Sequence, residues 1–287
     1  MSEHLASAEP AVLLNIENLV VEYPSRTWRG RAFRALDGVS LTVGRGETVG
    51  LVGESGSGKS TLGRAVLGLA PVTKGTITFE GRVISGLDKR ARRQLSKDIQ
   101  VVFQDPYTSL NPAMVVGDIL TEPLLVAGTS KAEAERKVGE LLERVHLPAD
   151  SGRRLAREFS GGQRQRIAIA RALSRDPKLI VCDEPVSALD LSTQSRVLEL
   201  FSEIQQSTGV AYLFITHDLA VVRHISQRVA VMNRGGIVEQ GPSAQVTSTP
   251  KHPYTQQLLL AAPVPNPRRQ AERRAARKKL AEFMRAA

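Results

Sequence analysis

Short apolar segments separated by glycines dominate the N-terminal part of the chain. LLNIENLVVEY, GVSLTV and ETVGLV, which lie between positions 12 and 52, each have the β-branched, partly alternating pattern of a strand. A basic loop from Pro24 to Arg34 separates the first two. After a glycine-rich stretch comes a helical pattern, and GTITFEG and IQVVF predict two further strands on either side of a polar, basic segment at 88–97.

The rest of the chain combines a helical region with a regular alternation of strands and helices. Ser130 and Glu133 have capping-box spacing and precede a helix with Val138, Leu141, Leu142 and Val145 on one stripe. Beyond Phe159, helices predicted from Gln163, from Thr193 and near Leu219 alternate with KLIVCD, VAYLFIT and RVAVMNRG. Such alternation predicts a parallel sheet covered by helices on both faces. The proline-rich stretch 261–267 is interpreted as a linker.

Charge and composition limit the possible classes of protein. The chain has 287 residues, 41% of them apolar, which is enough for an ordinary core and excludes disorder throughout. Its formal net charge is +10, and residues 268–287 contribute +6 of it through eight basic and two acidic residues. Nucleic acid, phosphate ligands and anionic lipid are therefore all considered as partners. A solvated tail without any partner explains the +6 equally well.

Cysteine content and hydropathy bear on the compartment. Cys182 is the only cysteine, so the chain can form neither an intrachain disulfide nor an all-cysteine metal site. No apolar stretch approaches the roughly 20 residues of a spanning helix, and the first residues lack the pattern of a signal peptide. We therefore expect a cytosolic protein that reaches a membrane only through its partners.

The segment GESGSGKS, from Gly53 to Ser60, has the phosphate-loop spacing GxxxxGK[ST] between a predicted strand and a predicted helix. Glycines let the backbone curl so that N–H groups face phosphate oxygens, and the helix N-terminus adds positive potential. Lys59 is expected to reach the β and γ phosphates, and the Ser60 hydroxyl to bind Mg²⁺. This motif alone does not separate an ATPase from a GTPase or a kinase.

Polar residues end three further predicted strands. Asp183 and Glu184 follow one strand, His217 follows the next, and Gln104 follows IQVVF. Ligands of such sheets gather at the carboxyl ends of the strands, so Asp183 is expected to hold Mg²⁺ through water and Glu184 to orient or deprotonate the attacking water. Gln104 could ligate Mg²⁺ or sense the γ-phosphate, and His217 could contact the γ-phosphate and the attacking water. The alternative interpretations are that Asp183 and Glu184 only form a turn and that His217 and Gln104 have purely structural roles.

A second predicted anion site opens the helix within FSGGQRQRIAIARAL. Ser160 offers a capping hydroxyl, Gly161 and Gly162 offer bare N–H groups, and Arg164 and Arg166 add positive charge. A nucleotide held at 53–60 does not need a second site on the same chain. The second site is therefore expected to serve a nucleotide on another copy, which requires head-to-tail pairing.

Together these segments resemble the ATP-binding cassette (ABC) superfamily from about Leu13 to Gln240. FSGGQ is similar to its signature, GESGSGKS to its Walker A, LIVCDEP to its Walker B and SALD (187–190) to its D-loop, while Gln104 and His217 match its Q-loop and switch histidine. The resemblance implies an α/β fold: a P-loop ATPase core with a RecA-like parallel sheet, an antiparallel β subdomain, a helical signature subdomain at about 106–160 and a C-terminal extension.

The resemblance also implies a site for ATP and Mg²⁺ at which dimer closure drives hydrolysis. The implied catalytic residues are Glu184, His217 and Gln104. The implied Mg²⁺ residues are Ser60, Gln104 and Asp183. Residues implied to bind ATP are Gly53, Glu54, Ser55, Gly56, Ser57, Gly58, Lys59, Ser60, Thr61 and Tyr23. Residues implied to bind the ATP of the other subunit are Ser160, Gly161, Gly162 and Gln163. Tyr23 matches the adenine-stacking aromatic, with Trp28 and Phe33 as substitutes.

A narrower resemblance concerns two segments, FQDPYTSLNPAMVVGDILTEPL and KHPYTQQLLLAAP, which look like the ATP-binding subunits of dipeptide and oligopeptide importers. It implies an ABC domain at 11–240, a C-terminal extension at 241–267 and a basic tail at 268–287. Implied partners are two membrane permeases, a second ABC ATPase that is a paralogue or the same chain, and indirectly an extracytoplasmic binding protein. The implied location is the cytoplasmic face of the membrane.

Several alternatives accompany this prediction. Some relatives hold a cysteine-ligated iron–sulfur cluster in the C-terminal extension, but Cys182 lies on the Walker B strand, so no cluster is expected. An importer of nickel or another small solute is one alternative. A non-transport ABC ATPase of DNA repair or translation is another, but the chain has neither a long coiled coil nor a second cassette, so no nucleic acid partner is expected. The second anion site disfavours a kinase or GTPase.

Overall fold

The computed structural model describes residues 11–24 and 32–261, together with residue 274. Trp28, most of the predicted linker at 261–267 and nearly all of the basic tail lie outside the described residues. Among the described residues, no helix combines the length and the apolar character that crossing a membrane requires.

The first half of the chain contains six strands and five helices among the described residues. The strands are β1 (Val12–Tyr23), β2 (Phe33–Gly44), β3 (Thr48–Val52), β4 (Lys74–Phe79), β5 (Arg82–Val83) and β6 (Ile99–Val102). The helices are α1 (Lys59–Val66), α2 (Lys89–Leu95), α3 (Pro106–Ser109), α4 (Val116–Val126) and α5 (Lys131–Arg144).

The second half of the described chain alternates between strands and helices. Two 3₁₀ turns, Ala149–Arg153 and Ala156–Glu158, come first. The helices are α6 (Gly161–Leu173), α7 (Leu191–Thr208), α8 (Leu219–Ile225), α9 (Ser243–Ser248) and α10 (Pro253–Ala261). The strands are β7 (Leu179–Asp183), β8 (Ala211–Thr216), β9 (Arg228–Asn233) and β10 (Gly236–Pro242).

A six-stranded sheet forms the centre of the fold in the order β10-β9-β3-β8-β7-β6. All neighbouring pairs from β9 to β6 are parallel, and β10 pairs with β9 antiparallel. Strands β3 and β8 are buried along their whole length because helices cover both faces. The parallel sheet predicted from the alternation of elements is confirmed, and its carboxyl edge collects the loops that follow β3, β8, β7 and β6.

A smaller antiparallel sheet, β2-β1-β4-β5, accompanies the central sheet. Leu14, Leu36 and Ile77 from this small sheet share one apolar cluster with Leu51 and Leu62 from β3 and α1. The two sheets therefore enclose α1, the helix that follows the phosphate loop, between apolar surfaces.

The loop predicted from Pro24 to Arg34 is shorter than expected at its C-terminal end. Phe33 and Arg34 belong to β2, where they pair with Tyr23 and Glu22 of β1. The Arg34 guanidinium also donates to the Glu22 carboxylate at 2.9 Å. This cross-strand pairing extends the hairpin and moves Phe33 out of the predicted loop.

Other boundaries also differ from the sequence prediction. The polar segment at 88–97 contains α2, which begins where the Asp88 carboxylate accepts the Ala91 N–H. Helix α7 begins at Leu191 rather than Thr193, because the Asp190 carboxylate caps it by accepting the Thr193 N–H. The stripe predicted after Ser130 is present, with Val138, Leu141 and Leu142 buried on α5. Strand β10 and helices α9 and α10 have no counterpart in the prediction.

An aromatic contact joins α7 to the central sheet. The Phe201 ring packs edge-on against Tyr212 and Phe214 of β8, with centroid distances of 5.3 and 5.6 Å. All three rings are fully buried in the cluster that also contains the helices at 116–145. Helix α7 is thus anchored to the strand that leads to His217.

We expect Phe201→Ala to lower the free energy of unfolding by about 3–5 kcal/mol, because the truncation leaves a large cavity and removes both edge-to-face contacts. Chemical denaturation measures this loss. Leu191→Ala on the same helix is the matched control, since Leu191 is 82% exposed and its truncation should cost less than about 0.5 kcal/mol. Equal losses in the two variants would contradict the assigned core.

Candidate functional site

The backbone at 53–60 curls between the end of β3 and the start of α1. Gly56 and Gly58 have φ angles of 79° and 106°, which favour glycine. At Gly58 a Cβ atom would also lie 2.8 Å from the Ala35 carbonyl oxygen, so only glycine fits there. Ser60 and Lys59 occupy the first turn of α1, directly after this curl. The loop therefore presents a helix N-terminus to the carboxyl edge of the sheet.

Lys59 is 4% exposed and lies across this curl. Its Nζ donates to the carbonyl oxygens of Gly53 at 2.8 Å and Glu54 at 2.9 Å. Burial lowers the pKa of the Lys59 ammonium, and the nearby carboxylates Glu184 and Asp183 oppose that shift. The cation is thus held inside the loop by neutral oxygens that an anion could replace.

The Ser60 hydroxyl donates to Asp183 Oδ1 at 2.9 Å, joining α1 to the end of β7. Burial raises the pKa of the Asp183 carboxyl above its ordinary value, although the hydrogen bond from Ser60 acts in the opposite direction. The pair offers only hard oxygen donors beside a partly buried negative charge, which is the chemistry that Mg²⁺ prefers. These residues fit a Mg²⁺ ion. No group of three or more His, Cys, Asp or Glu side chains suited to a metal occurs among the described residues.

Glu184 and His217 meet at the ends of β7 and β8. His217 Nδ1 lies 3.2 Å from Glu184 Oε2, and Glu184 has a left-handed φ of 50°. The Glu184 N–H donates to the Ile215 carbonyl, and the Ser187 hydroxyl donates to the Glu184 carbonyl. These bonds stabilise a backbone conformation that is unfavourable for glutamate and direct its carboxylate towards the histidine.

An open cavity of about 230 Å³ lies over the phosphate loop. Its lining residues are Phe33, Ala35, Ser55, Gly56, Gly58, Lys59, Ser60, Thr61 and Glu184. Phe33 is 66% exposed, whereas Tyr23 is partly buried and packs against the core. Of the two aromatic candidates for adenine that the structure describes, Tyr23 and Phe33, Phe33 lines this cavity, and stacking by Tyr23 stays a prediction.

Gln104 follows β6, the strand next to β7, and lines a neighbouring cavity together with Asp183 and Arg171. The structure therefore brings Gln104 near Asp183 but does not place it in the lining of the phosphate-loop cavity. Cys182, the residue before Asp183, is fully buried, and burial raises the pKa of its thiol.

The helix predicted from Gln163 begins earlier, at Gly161, with Ser160 as its cap. The Ser160 hydroxyl accepts the Gln163 N–H, and the Gln163 side chain accepts the Ser160 N–H, which is a complete capping box. A separate cavity of about 340 Å³ opens at this cap. Its lining residues are His146, Leu147, Pro148, Ser160, Gly162, Gln163, Arg166, Thr193 and Arg196. Among the described residues, the cavity at this cap and the cavity over the phosphate loop have no lining residue in common.

Arg164 differs from its predicted role. Its guanidinium lies 4.4 Å from the centroid of the Tyr107 ring and donates to the carbonyl oxygens of Phe159 and Arg157. The positive side chains that line the cap cavity are instead Arg166 and Arg196, beside His146. The sequence could not distinguish Arg164 from Arg166, because the difference depends on the tertiary position of Tyr107.

The sequence did not predict that Tyr107 and Thr193 lie beside the Ser160 cap. A Cβ atom on Gly161 would lie 3.1 Å from the Tyr107 hydroxyl, and one on Gly162 would lie 2.3 Å from Thr193 Cγ2. The two glycines therefore permit close approach by side chains from α3 and α7. No spacing in the sequence signals these contacts, since the partners lie about 30 to 55 residues away along the chain.

Two family models match the chain. One, described as ABC transporter, matches residues 36–187. The other, described as the C-terminal region of oligopeptide/dipeptide transporters, matches residues 238–286. The first match contains the phosphate loop, the cap at Ser160 and the Asp183–Glu184 pair, and the second begins within β10.

Curated relatives carry import functions in their names. The chain is 50% identical over 273 residues to the glutathione import ATP-binding protein GsiA of Pectobacterium atrosepticum, covering 93% of this chain and 44% of GsiA. It is 52% identical over 242 residues to a putative peptide import ATP-binding protein of Brucella abortus, covering 84% of this chain and 72% of that protein. The chain spans a little under half the length of the GsiA relative.

Solved structures of similar fold are ATP-binding cassettes. One is cbiO1 from Clostridium perfringens, part of the ABC transporter complex cbiONQ, with a TM-score of 0.74, 28% identity and coverage of 83% of this chain and 92% of that chain. Another is the cassette MJ0796 in a dimeric post-hydrolysis state bound to ADP and Pi, with a TM-score of 0.71, 26% identity and coverage of 80% and 99%.

We expect Asp183→Asn to raise the stability of the nucleotide-free protein at neutral pH. Because the pKa of Asp183 is raised in the folded state, its charged form destabilises the fold above that pKa. The penalty disappears as the pH falls through the folded pKa towards the unfolded value. The thermal midpoint of the variant should therefore lie above that of the wild type at neutral pH and approach it at mildly acidic pH. Asp150→Asn, which makes the same chemical change at an exposed carboxylate, is the matched control.

We expect Gly162→Ala to destabilise the fold by about 1–3 kcal/mol, because its methyl group would overlap Thr193 Cγ2. Adding Thr193→Ser removes that methyl group and should restore most of the loss. Gly139→Ala, on α5 with open space around the new atom, is the control and should be neutral or stabilising. A double variant no more stable than Gly162→Ala would rule out the contact as the cause.

Proposed function

Because the chain belongs to the ABC transporter family, we propose that it is an ATP-hydrolysing subunit that energises import of small peptides through a membrane transporter. One observation carries the proposal. Lys59, Asp183, Glu184 and His217 gather at the carboxyl edge of one parallel sheet, while a second anion-binding cap at Ser160 opens into a different cavity. An ATPase that closes over nucleotide with a second copy needs this division of sites.

Binding begins at the phosphate loop. The N–H groups at 55–61 and the start of α1 favour negative charge, and Lys59 exchanges the Gly53 and Glu54 carbonyl oxygens for phosphate oxygens. The phosphates thus place negative charge in direct contact with the buried ammonium, which otherwise donates to neutral carbonyl oxygens. Phe33, at the rim of the cavity, offers an exposed ring on which the adenine can stack.

Ser60 and Asp183 would hold Mg²⁺, with Gln104 approaching from the end of β6. When bound, the ion neutralises charge on the phosphate oxygens. The chain's own contribution is to orient the two oxygen donors, because the Ser60–Asp183 hydrogen bond already holds them together.

Hydrolysis is assigned to Glu184 and His217. The Glu184 carboxylate orients the attacking water and accepts its proton, and it lines the cavity that contains Lys59. His217 positions the carboxylate through the 3.2 Å contact and faces the γ-phosphate from the end of β8. Both side chains stand on strand ends of a rigid sheet, which limits their motion.

The cap at Ser160 completes the site of a partner subunit. Ser160, Gly161, Gly162 and Gln163 would contact the γ-phosphate bound at the partner's phosphate loop, as the Ser160 cap faces an open cavity flanked by Arg166 and Arg196. Head-to-tail pairing then gives two composite sites. The second subunit is a copy of this chain or a paralogue.

The remaining partners and the location follow from this function. The subunit would dock on two membrane permeases at the cytoplasmic face and respond to an extracytoplasmic binding protein. The relatives named for peptide and glutathione import favour short peptides, glutathione among them, as the imported solute. The match of residues 238–286 to the oligopeptide/dipeptide transporter region supports the same class.

We expect Glu184→Gln to bind ATP but to lower kcat by about 10²- to 10⁴-fold, because the amide cannot accept the proton of water. ATP-loaded variant should accumulate as a dimer in light scattering. Glu199→Gln, an exposed carboxylate on α7, makes the same chemical change and should leave turnover unchanged. Wild-type turnover in Glu184→Gln would remove Glu184 from the hydrolytic role.

The solute class is tested with the transporter reassembled from the chain, its permeases and its binding protein. Glutathione and other short peptides should stimulate ATP hydrolysis, since loaded binding protein promotes closure. Nickel serves as the comparison solute. Stimulation by nickel and not by peptides would replace peptide import with import of a small inorganic solute.

A further inference from the structure

Helix α10 contacts the phosphate loop through the hydroxyl group of Tyr254. Tyr254 lies in the first turn of α10, 200 residues after Glu54, and its Oη accepts the Glu54 backbone N–H at 3.0 Å. In the sequence, the segment KHPYTQQLLLAAP is distinguished only by its family resemblance. In the fold, this segment touches the nucleotide site directly.

Tyr254 is held firmly in place. It is 5% exposed and packs in a cluster with Val52, at the end of β3, and with Leu219 and Val222 of α8. The Tyr254 N–H donates to His252 Nδ1 at 3.1 Å. An aromatic ring fixed on several sides can hold its hydroxyl at a defined position.

The loop that carries Tyr254 is tied to β10 by the Glu239 carboxylate. Its oxygens accept the N–H groups of Lys251 at 2.7 Å and His252 at 3.1 Å. Burial acts to raise the pKa of Glu239, but hydrogen bonds to the carboxylate outweigh it and lower the pKa. The start of α10 is therefore anchored to the central sheet.

The peptide group that Tyr254 contacts is also the one that Lys59 contacts. The Gly53 carbonyl and the Glu54 N–H belong to one planar peptide unit. Lys59 Nζ donates to its oxygen at 2.8 Å, and its N–H donates to Tyr254 at 3.0 Å. Rotation of this peptide unit would displace both contacts at once.

The hydrogen bond to Tyr254 matters most for this peptide unit when Lys59 Nζ binds a phosphate oxygen instead of the Gly53 carbonyl. The Gly53 carbonyl then loses its ammonium donor, and the Tyr254 hydroxyl remains to fix the orientation of the same peptide unit. The Glu54 carbonyl still accepts the Ser57 N–H at 3.2 Å, which holds the next part of the curl. Two hydrogen bonds at the entrance of the loop, one from the Glu54 N–H to Tyr254 Oη and one from the Ser57 N–H to the Glu54 carbonyl, thus do not depend on Lys59.

We propose that Tyr254 is a positioning residue for the phosphate loop, through which helix α10 strengthens nucleotide binding. The inference rests on the proposed function, since it requires ATP to bind at 53–61. It assigns to the C-terminal segment an action on the ATP site of its own chain, in addition to any role towards a partner.

The test uses the full chain with Tyr254→Phe, which removes the hydroxyl and keeps the packed ring. We expect a roughly three- to tenfold weaker affinity for ATP by calorimetry, the loss that corresponds to one hydrogen bond. The KM for ATP should rise by a similar factor while kcat at saturation changes less than twofold. Tyr212→Phe is the matched control, because the Tyr212 hydroxyl is buried on β8 and has no hydrogen-bond partner among the described residues.

A second measurement needs no nucleotide. Hydrogen exchange of the peptide that contains Glu54 should be faster in Tyr254→Phe than in wild type, and unchanged in Tyr212→Phe. Unchanged affinity in Tyr254→Phe overturns the inference, even where exchange is faster, and leaves the proposed function intact. Unchanged exchange overturns it as well. Failure of the wild-type chain to bind ATP would instead refute the proposed function.

Discussion

Four neighbouring parallel strands end together, and this common edge determines where the polar groups of the protein meet. Val52 pairs with Thr216, Asp183 with Ile215, and Val102 with Cys182. The residues that follow each strand therefore emerge within two strand spacings, about 10 Å, of a neighbouring loop. Segments that are more than 160 residues apart in sequence thus lie side by side at this edge. Nearly all side chains of β3, β7 and β8 are buried, on both faces of the sheet, and their close packing holds this register.

The edge also concentrates unfavourable groups. The buried ammonium of Lys59, the Asp183 carboxyl with its raised pKa and Glu184 with its φ of 50° all lie at this edge. Each of these lowers the stability of the nucleotide-free protein, and the aromatic and aliphatic core under α7 offsets that cost. Phosphate and a divalent cation would pair with the ammonium and the carboxyl. The same features that destabilise the empty site thus favour the charged ligand proposed for it.

The sequence was sufficient wherever the signal lay within one strand–loop–helix unit. The phosphate loop, the Ser160 cap and the parallel sheet follow from local spacing and apolar alternation, because backbone geometry and burial act over a few residues. Contacts between distant segments were predictable at the shared strand ends but not elsewhere. Phe33 was expected in a loop, yet pairing with Tyr23 places it in β2 at the cavity. Tyr107, Thr193 and Tyr254 carry no local mark of the backbone groups that they contact.

The Ser160 cap lies between two segments of the chain, which contact it at Gly161 and Gly162. Tyr107, three residues after Gln104, covers Gly161 and stacks on Arg164. Thr193, three residues after the capping Asp190, covers Gly162. A Cβ atom at Gly161 would crowd the Tyr107 hydroxyl at 3.1 Å, and one at Gly162 would overlap Thr193 Cγ2 at 2.3 Å. Both segments therefore approach the cap this closely because these two positions are glycines. The cap that we propose for a partner's phosphate thus packs against the segment that follows Gln104 and against the start of α7.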